Sequence, residues 1–237
     1  MSNIKILARI KPLLKNTPNC VITKENEVHL SKYQKRYKQE RLVNYKYKFD
    51  KVFDDQCDNI DLYNDVSIDI LRNLLKWRNN VTFYVYGQTG SGKTHTMQGC
   101  GNGPMRGIIP RSVSKILDQA RAMNKQKWNF NVSASFLEIY NENLKDLLTS
   151  MEPSGPSKKK LSIKRDREGK SFVDGLTKVP IDVKDSMVGM EQMEALMGVA
   201  SRSRSVASTK MNSQSSRSHS VFMLHLNGYN EDSGAIV

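Results

Sequence analysis

Val81-Thr82-Phe83-Tyr84-Val85-Tyr86-Gly87-Gln88-Thr89-Gly90-Ser91-Gly92-Lys93-Thr94 decides the reading of this 237-residue chain. Its opening residues, Val81 to Tyr86, are all β-branched or aromatic. The run is too short for a helix and apolar on both parities, as in a strand buried on both faces of a parallel sheet. Gly87 to Thr94 then fit G-x-x-x-x-G-K-[ST] at every fixed position, and a candidate helix start follows. Small side chains let backbone N–H groups curl around a β-phosphate, which is the use of Gly90 and Gly92 here, and the helix start turns its positive end to the same oxygens. Lys93 would bridge β- and γ-phosphates as a mobile point charge, and the Thr94 hydroxyl would enter the shell of a Mg²⁺ ion. A chance glycine-rich turn is the competing reading, but strand, loop and helix stand in register. The expected fold is α/β, a P-loop NTPase with a central, mostly parallel sheet flanked by helices.

The surrounding pattern supports one domain over residues 1–237. Ile4 to Ile10 reads as a strand ended by Pro12, and Lys24 to Lys48 as basic hairpins or loops. Ile60, Tyr63, Val66, Ile70, Leu71, Leu74 and Leu75 recur at helical spacing up to Asn79-Asn80. Pro110 to Met123 reads as a helix with Pro110 in its first turn. Phe130 to Tyr140 reads as a strand, Asn141 to Leu148 as one or two helical turns, and Met151 to Lys160 as a surface loop. Leu161 to Val183 has the turns of hairpins, Lys184 to Arg202 reads as a helix, and Ser220 to Gly228 as a last strand. Met187, Met190, Met193 and Met197 fall on or near one face of that helix and read as core filler.

Thirty-seven Lys and Arg against 24 Asp and Glu leave a formal charge of +13. The excess favours an acidic partner, and the sequence carries no RRM, KH, OB or zinc signature that would turn it toward nucleic acid. No apolar run is long enough to cross a membrane, and Lys5, Arg9 and Lys11 interrupt the first residues where a signal peptide needs an unbroken apolar stretch. Cys20, Cys57 and Cys100 have neither metal-site nor paired spacing and read as reduced thiols.

Beyond the general loop pattern, Tyr86 to Met97 resembles the kinesin P-loop, and Asn212-Ser213-Gln214-Ser215-Ser216-Arg217-Ser218-His219 matches the kinesin switch I pattern N-x-x-S-S-R-S-H. Arg204, Val206-Ala207, Thr209 and Met211 fit the same block. Tyr47 to Phe53, Gly107 to Arg111 and Phe136 to Glu142 also resemble the family, so the likeness spans nearly the whole chain. It implies ATP or ADP with Mg²⁺ as ligands and microtubules as partner, in the cytoplasm on the cytoskeleton. Arg9-Ile10-Lys11-Pro12 corresponds to the family's R-x-R-P element, which flanks the adenine. Lys11 departs from the second Arg there and loses its planar stacking surface. His95 is placed on the same side of the base. The resemblance gives Asn212 and Ser215 contacts to the γ-phosphate or attacking water, Ser216 a place near Mg²⁺ and the γ-phosphate, and Arg217 a salt bridge to an acidic switch II partner. His219 reads as a packing residue. Without the family, the same stretch reads as a flexible polar loop or a kinase target. Arg204 to Thr209 and His225 to Gly228 resemble the C-terminal-motor, minus-end-directed subfamily.

The family also has a D-x-x-G-x-E switch II. Asp166-Arg167-Glu168-Gly169 meets D-x-x-G by letter but lies among charges with no buried strand before it, and reads as a hairpin tip. Residues 1–237 are therefore expected to be the N-terminal two-thirds of such a motor domain, marginally stable, poor in hydrolysis and lacking an oligomerisation segment. Lys158, Lys159, Lys160, Lys164, Arg165, Arg167 and Lys170 cluster in one segment that resembles in position the loop touching acidic tubulin, with a solvated loop as the bland reading. Two rival functions stay open. One is a non-cycling nucleotide-binding microtubule adaptor, and the other an unrelated P-loop ATPase acting on nucleic acid.

Overall fold

A computed structural model describes residues 4–13, 19–36, 39–71, 74, 80–101, 103–151, 160–210 and 217–236. They form two compact units, one from Met1–Ile68 with Phe83–Ile108 and one from Asp69–Thr82 with Ile109–Val237.

In the first unit, β1 (Leu7–Arg9) is shorter than the Ile4–Ile10 expectation, and Ile4 and Ile6 stand exposed. The basic region folds as an antiparallel sheet of β2 (Val21–Lys24), β3 (Glu27–Arg36) and β4 (Gln39–Lys48). β5 (Lys51–Phe53) lies parallel to β1, with Arg9 opposite Phe53. Helix α1 (Asn59–Leu71) begins with a reciprocal cap. Asp58 Oδ1 accepts from the N–H groups of Ile60 and Asp61, and the Asp61 carboxylate accepts from the Asp58 N–H. Its buried face carries Leu62, Tyr63 and Val66. Among the described residues one cluster of this unit's core buries Phe53, Leu62 and Ile108, with Leu7, Cys57, Phe83 and Met97 packed against them. Helix α2 (Lys93–Met97) follows the glycine-rich loop.

Val81 to Tyr86 departs from expectation. The run is extended and its side chains alternate between half-buried and exposed, yet it belongs to no strand ladder, and Tyr84 and Tyr86 are 74% and 88% exposed. β-propensity fixes the local conformation, but a parallel strand also needs hydrogen-bonding neighbours, and no described segment pairs with it. Among the described residues parallel pairing is limited to β1 with β5, and the remaining ladders are antiparallel.

The second unit is organised on one long strand. Helix α3 (Ile108–Asn124) starts before Pro110 and buries Val113, Ile116, Leu117 and Ala120 at helical spacing. β6 (Trp128–Tyr140) pairs along its length with β11 (His219–Asn230), and on its other side with β7 (Asn143–Asp146) and β10 (Val179–Ile181). β7 replaces the helical turns expected over Asn141 to Leu148. Asn141 and Glu142 both take positive φ, 46° and 62°, which makes the two-residue turn of a tight hairpin. Leu147 and Leu148 are buried at the end of that hairpin. β8 (Ser162–Arg165) and β9 (Ser171–Asp174) form a separate antiparallel hairpin. Helix α4 (Ser186–Lys210) is capped by Asp185, whose Oδ1 accepts from Met187 N. Of its methionines, Met193 is fully buried and Met190 and Met197 are half-buried, while Met187 is 74% exposed in the first turn and fills no core.

Candidate functional site

The glycine-rich loop is shaped by backbone conformations that side chains resist. Gly90 and Gly92 take φ of 79° and 98°, and a Cβ on Gly87 would come within 2.5 Å of Ser91 Oγ. The loop closes through Ser91 N donating to Gln88 O at 3.2 Å, and α2 starts with Thr96 N donating to Gly92 O. Thr89 and Gly90 at the tip are exposed. Lys93 folds back over the loop, with Nζ 2.7 Å from Gly87 O and 2.9 Å from Gln88 O. Lys11 reaches the loop from beyond β1, its Nζ donating to Gly90 O at 2.8 Å. Both ammonium groups thus rest on loop carbonyls, neutral acceptors that a phosphate oxygen outcompetes as a charge-assisted partner. This cradle of small residues and two cations fits a polyphosphate. Thr94 is exposed at the loop's end, where its hydroxyl suits the shell of a Mg²⁺ ion. No cluster of His, Cys, Asp or Glu suited to a metal occurs among the described residues.

The segment expected to flank the base is bound differently from a free cation. The Arg9 guanidinium donates to Asn59 Oδ1 at 2.5 Å, Thr96 Oγ1 at 3.0 Å and Cys57 O at 3.2 Å. Asn59, 2% exposed, also donates through Nδ2 to the carbonyls of His95 and Met105, both at 2.9 Å. One buried amide therefore ties β1, α1 and the P-loop helix together, and it fixes the main chain at His95, whose side chain is half-buried. Pro12 is exposed beyond Arg9. Asn59 and Thr96 were not singled out from sequence. The only sequence sign of Asn59 is its place directly after the helix cap Asp58. Burial raises the Cys57 thiol's pKa, with Asp61 nearby adding to the effect.

Asn212, Ser215 and Ser216 lie outside the described residues, as do Lys158 and Lys159. Arg217 is exposed, and so is His219, which opens β11 opposite Ile139 and is not a packing residue. The side chain that packs inward is Ser218, whose Oγ donates to the buried Glu138 at 2.6 Å. In the basic hairpin, Lys164 pairs with Asp174 at 2.5 Å and Lys170 with Glu168 at 2.7 Å. The bond from Glu168 raises the Lys170 ammonium's pKa. Lys160, Arg165 and Arg167 are exposed and in no ion pair among the described residues. Asp166 to Gly169 is the hairpin tip, with Asp166 Oδ1 accepting from the N–H groups of Glu168 and Lys170 at 2.9 Å. Its carboxylate is consumed by the turn.

Loop, lysine and α/β setting define a nucleotide-binding protein of the P-loop class. Within that class the match is narrower: residues 9–236 fit the family model described as Kinesin motor domain, and the chain belongs to the kinesin motor family. Kinesin-like protein KAR3 of Saccharomyces cerevisiae is 35% identical over 240 residues, covering 98% of this chain and 32% of that protein. Kinesin-like protein 2 of Schizosaccharomyces pombe is 41% identical over 191 residues, covering 80% of this chain and 22% of that protein. Among solved structures, the C-terminal motor and motor homology domain of Kar3Vik1, fused to a synthetic heterodimeric coiled coil, superposes with a TM-score of 0.76 at 32% identity. It covers 99% of this chain and 57% of that one. The chain thus spans under a third of the length of these curated relatives. The Kar3 names agree with the subfamily resemblance of Arg204 to Thr209.

Proposed function

We propose that this chain is the nucleotide-binding part of an ATP-driven microtubule motor head. Lys93, held on the carbonyls of its own glycine-built loop, is the observation that carries the reading. On binding MgATP or MgADP, the ammonium exchanges those neutral acceptors for phosphate oxygens, and backbone N–H groups from Gly87 to Gly92 close on the β-phosphate. Thr94 contributes its hydroxyl to Mg²⁺. Lys11, already on Gly90 O, stands at the rim of the same loop and adds a second positive charge. Arg9 positions the base side of the site through Asn59 and Thr96 rather than by offering a free cation. By their match to the family pattern, Asn212, Ser215 and Ser216 sense the γ-phosphate and Arg217 awaits an acidic partner. Because Asp166 serves the hairpin turn, these 237 residues taken alone hydrolyse slowly.

The basic hairpin is read as the contact to acidic tubulin, placing the protein on cytoplasmic microtubules. Lys160, Arg165 and Arg167 are exposed there, and charge-steered contacts of this kind weaken with salt. Co-pelleting with microtubules and with duplex DNA at matched ionic strength tests this. Preferential pelleting with microtubules, reduced several-fold when Lys158, Lys159 and Lys160 are neutralised, is expected. Equal or stronger retention on DNA would favour a nucleic-acid ATPase instead. Phosphate release at a kinesin-like rate from the isolated chain would contradict the slow-turnover reading.

A further inference from the structure

A cavity of about 500 Å³ opens where the chain leaving β7 meets α4. Lys145, Leu147 and Ser150 line it from the β7 segment, and Val199, Arg202 and Ser203 from the helix. All six belong to the unit built on β6, and none to the unit that carries the phosphate loop. The charge of the lining is lopsided. Its acid, Asp146, is already bonded to main chain: Oδ1 accepts from Leu148 N and Oδ2 from Thr177 N, both at 2.8 Å. Its cations have no such match. Lys145 Nζ rests on a neutral acceptor, Ser203 O, at 2.9 Å, and Ser203 Oγ donates in turn to Leu147 O at 3.1 Å. Arg202 is exposed and in no ion pair among the described residues. Its Nη1 lies 3.4 Å from where a Cβ on Gly198 would stand, so the guanidinium turns back along α4.

A lone cation on a convex surface is satisfied by water, but two cations on the wall of a concavity focus a positive potential into it. Half-buried Val199 and the carbon stems of Lys145 and Arg202 add an apolar flank, and exposed Ser150 adds a hydroxyl. We propose that this cavity binds a small phosphomonoester. Arg202 takes the phosphate through the paired N–H groups of its guanidinium, and Lys145 exchanges the Ser203 carbonyl for a phosphate oxygen, a charge-assisted partner that outcompetes a neutral one. The apolar body of the ester lies against Val199. A dianion matches two cations, whereas a single carboxylate would leave one of them unmatched. The volume falls in the range of small-ligand sites.

The test titrates phenyl phosphate, inorganic phosphate and benzoate into the 237-residue chain and follows backbone amide chemical shifts, which report each site separately. Phenyl phosphate is expected to shift the amides of Leu147 to Met151 and Val199 to Ser203, saturating at about 1–10 mM for a ligand of this size. Inorganic phosphate, which lacks the apolar body, and benzoate, which lacks the dianion, should each bind these amides about fivefold more weakly or worse. Lys145→Gln and Arg202→Gln should each weaken phenyl phosphate by about tenfold, with Arg202→Lys in between. Arg202→Gln alters an exposed side chain and leaves the Lys145 bond to Ser203 intact, so it decides the matter should Lys145→Gln disturb the fold. Shifts confined to Gly87 to Thr94, or no shifts at all, would overturn the proposal, as would affinity unchanged in both glutamine variants. Inorganic phosphate binding as tightly as the ester would overturn the ester assignment, and benzoate doing so would overturn the phosphate.

Discussion

The unit built on β6 and the unit carrying the phosphate loop are held together by different means. The first has a strand bonded on both sides and a core that includes Phe136, Leu147, Leu148, Met193 and Leu196, each no more than 2% exposed. The phosphate-loop unit buries Val28, Phe53, Leu62, Tyr63, Val66 and Ile108 among its described residues, and the run leading into its functional loop pairs with no described segment, with Tyr84 and Tyr86 exposed. Its order comes instead from polar ties: Arg9 to Asn59 and Thr96, and Asn59 to two carbonyls. Apolar burial is non-directional and tolerant, whereas a hydrogen-bonded hub fails when one member is removed. The chemistry thus rests on the less redundant of the two scaffolds.

The contrast breaks most visibly under truncation of the core. Phe136→Ala removes a ring packed edge-on against Phe222 at 5.8 Å and should cost about 3–5 kcal/mol in urea unfolding, with nucleotide affinity retained by the fraction still folded. Asn59→Ala should cost less in global stability, about 1–3 kcal/mol, because it removes one of the three acceptors of the Arg9 guanidinium and the amide donor to the His95 and Met105 carbonyls. Yet it should weaken ADP binding in the folded protein, which a fluorescence titration would read. If Asn59→Ala leaves ADP affinity unchanged, the polar hub is not what orders the loop.

A smaller effect belongs to pH. His225, within hydrogen-bond reach of Ser135 Oγ at 3.3 Å, has its pKa lowered by burial and secondarily by Lys178. The folded state therefore favours the neutral ring. Its contribution to stability is present above the unfolded histidine's pKa of about 6.5 and is lost as pH falls through the lower folded value. Melting temperatures of wild type should drop more than those of His225→Gln between neutral and mildly acid pH. Parallel curves would remove His225 from the account.

Much of the second unit was legible in sequence. The periodic face of α3, the long apolar strand β6 and the hairpin tip at Asp166 to Gly169 all express local rules. The phosphate loop was legible for the same reason, since only glycine readily takes the conformations of Gly90 and Gly92. β7 was misread because Leu144, Leu147 and Leu148 carry helical spacing, and a left-handed Asn141-Glu142 turn has no glycine to announce it. Val81 to Tyr86 was read as paired because composition reports the conformation a segment prefers and not whether partners stand beside it. Asn59 was invisible as a site residue because its bonds reach partners as far as 36 positions on and beyond.

The central claim is that Lys93 on its glycine-built loop binds the phosphates of a nucleotide. Titration of fluorescent ADP with Mg²⁺ into wild type and Lys93→Ala tests it most directly. Saturable binding by wild type that weakens by about a hundredfold in the variant is predicted, as expected for losing charge-assisted bonds to two phosphates. Binding by Lys93→Ala within about twofold of wild type, or no binding by a folded wild type, would contradict it.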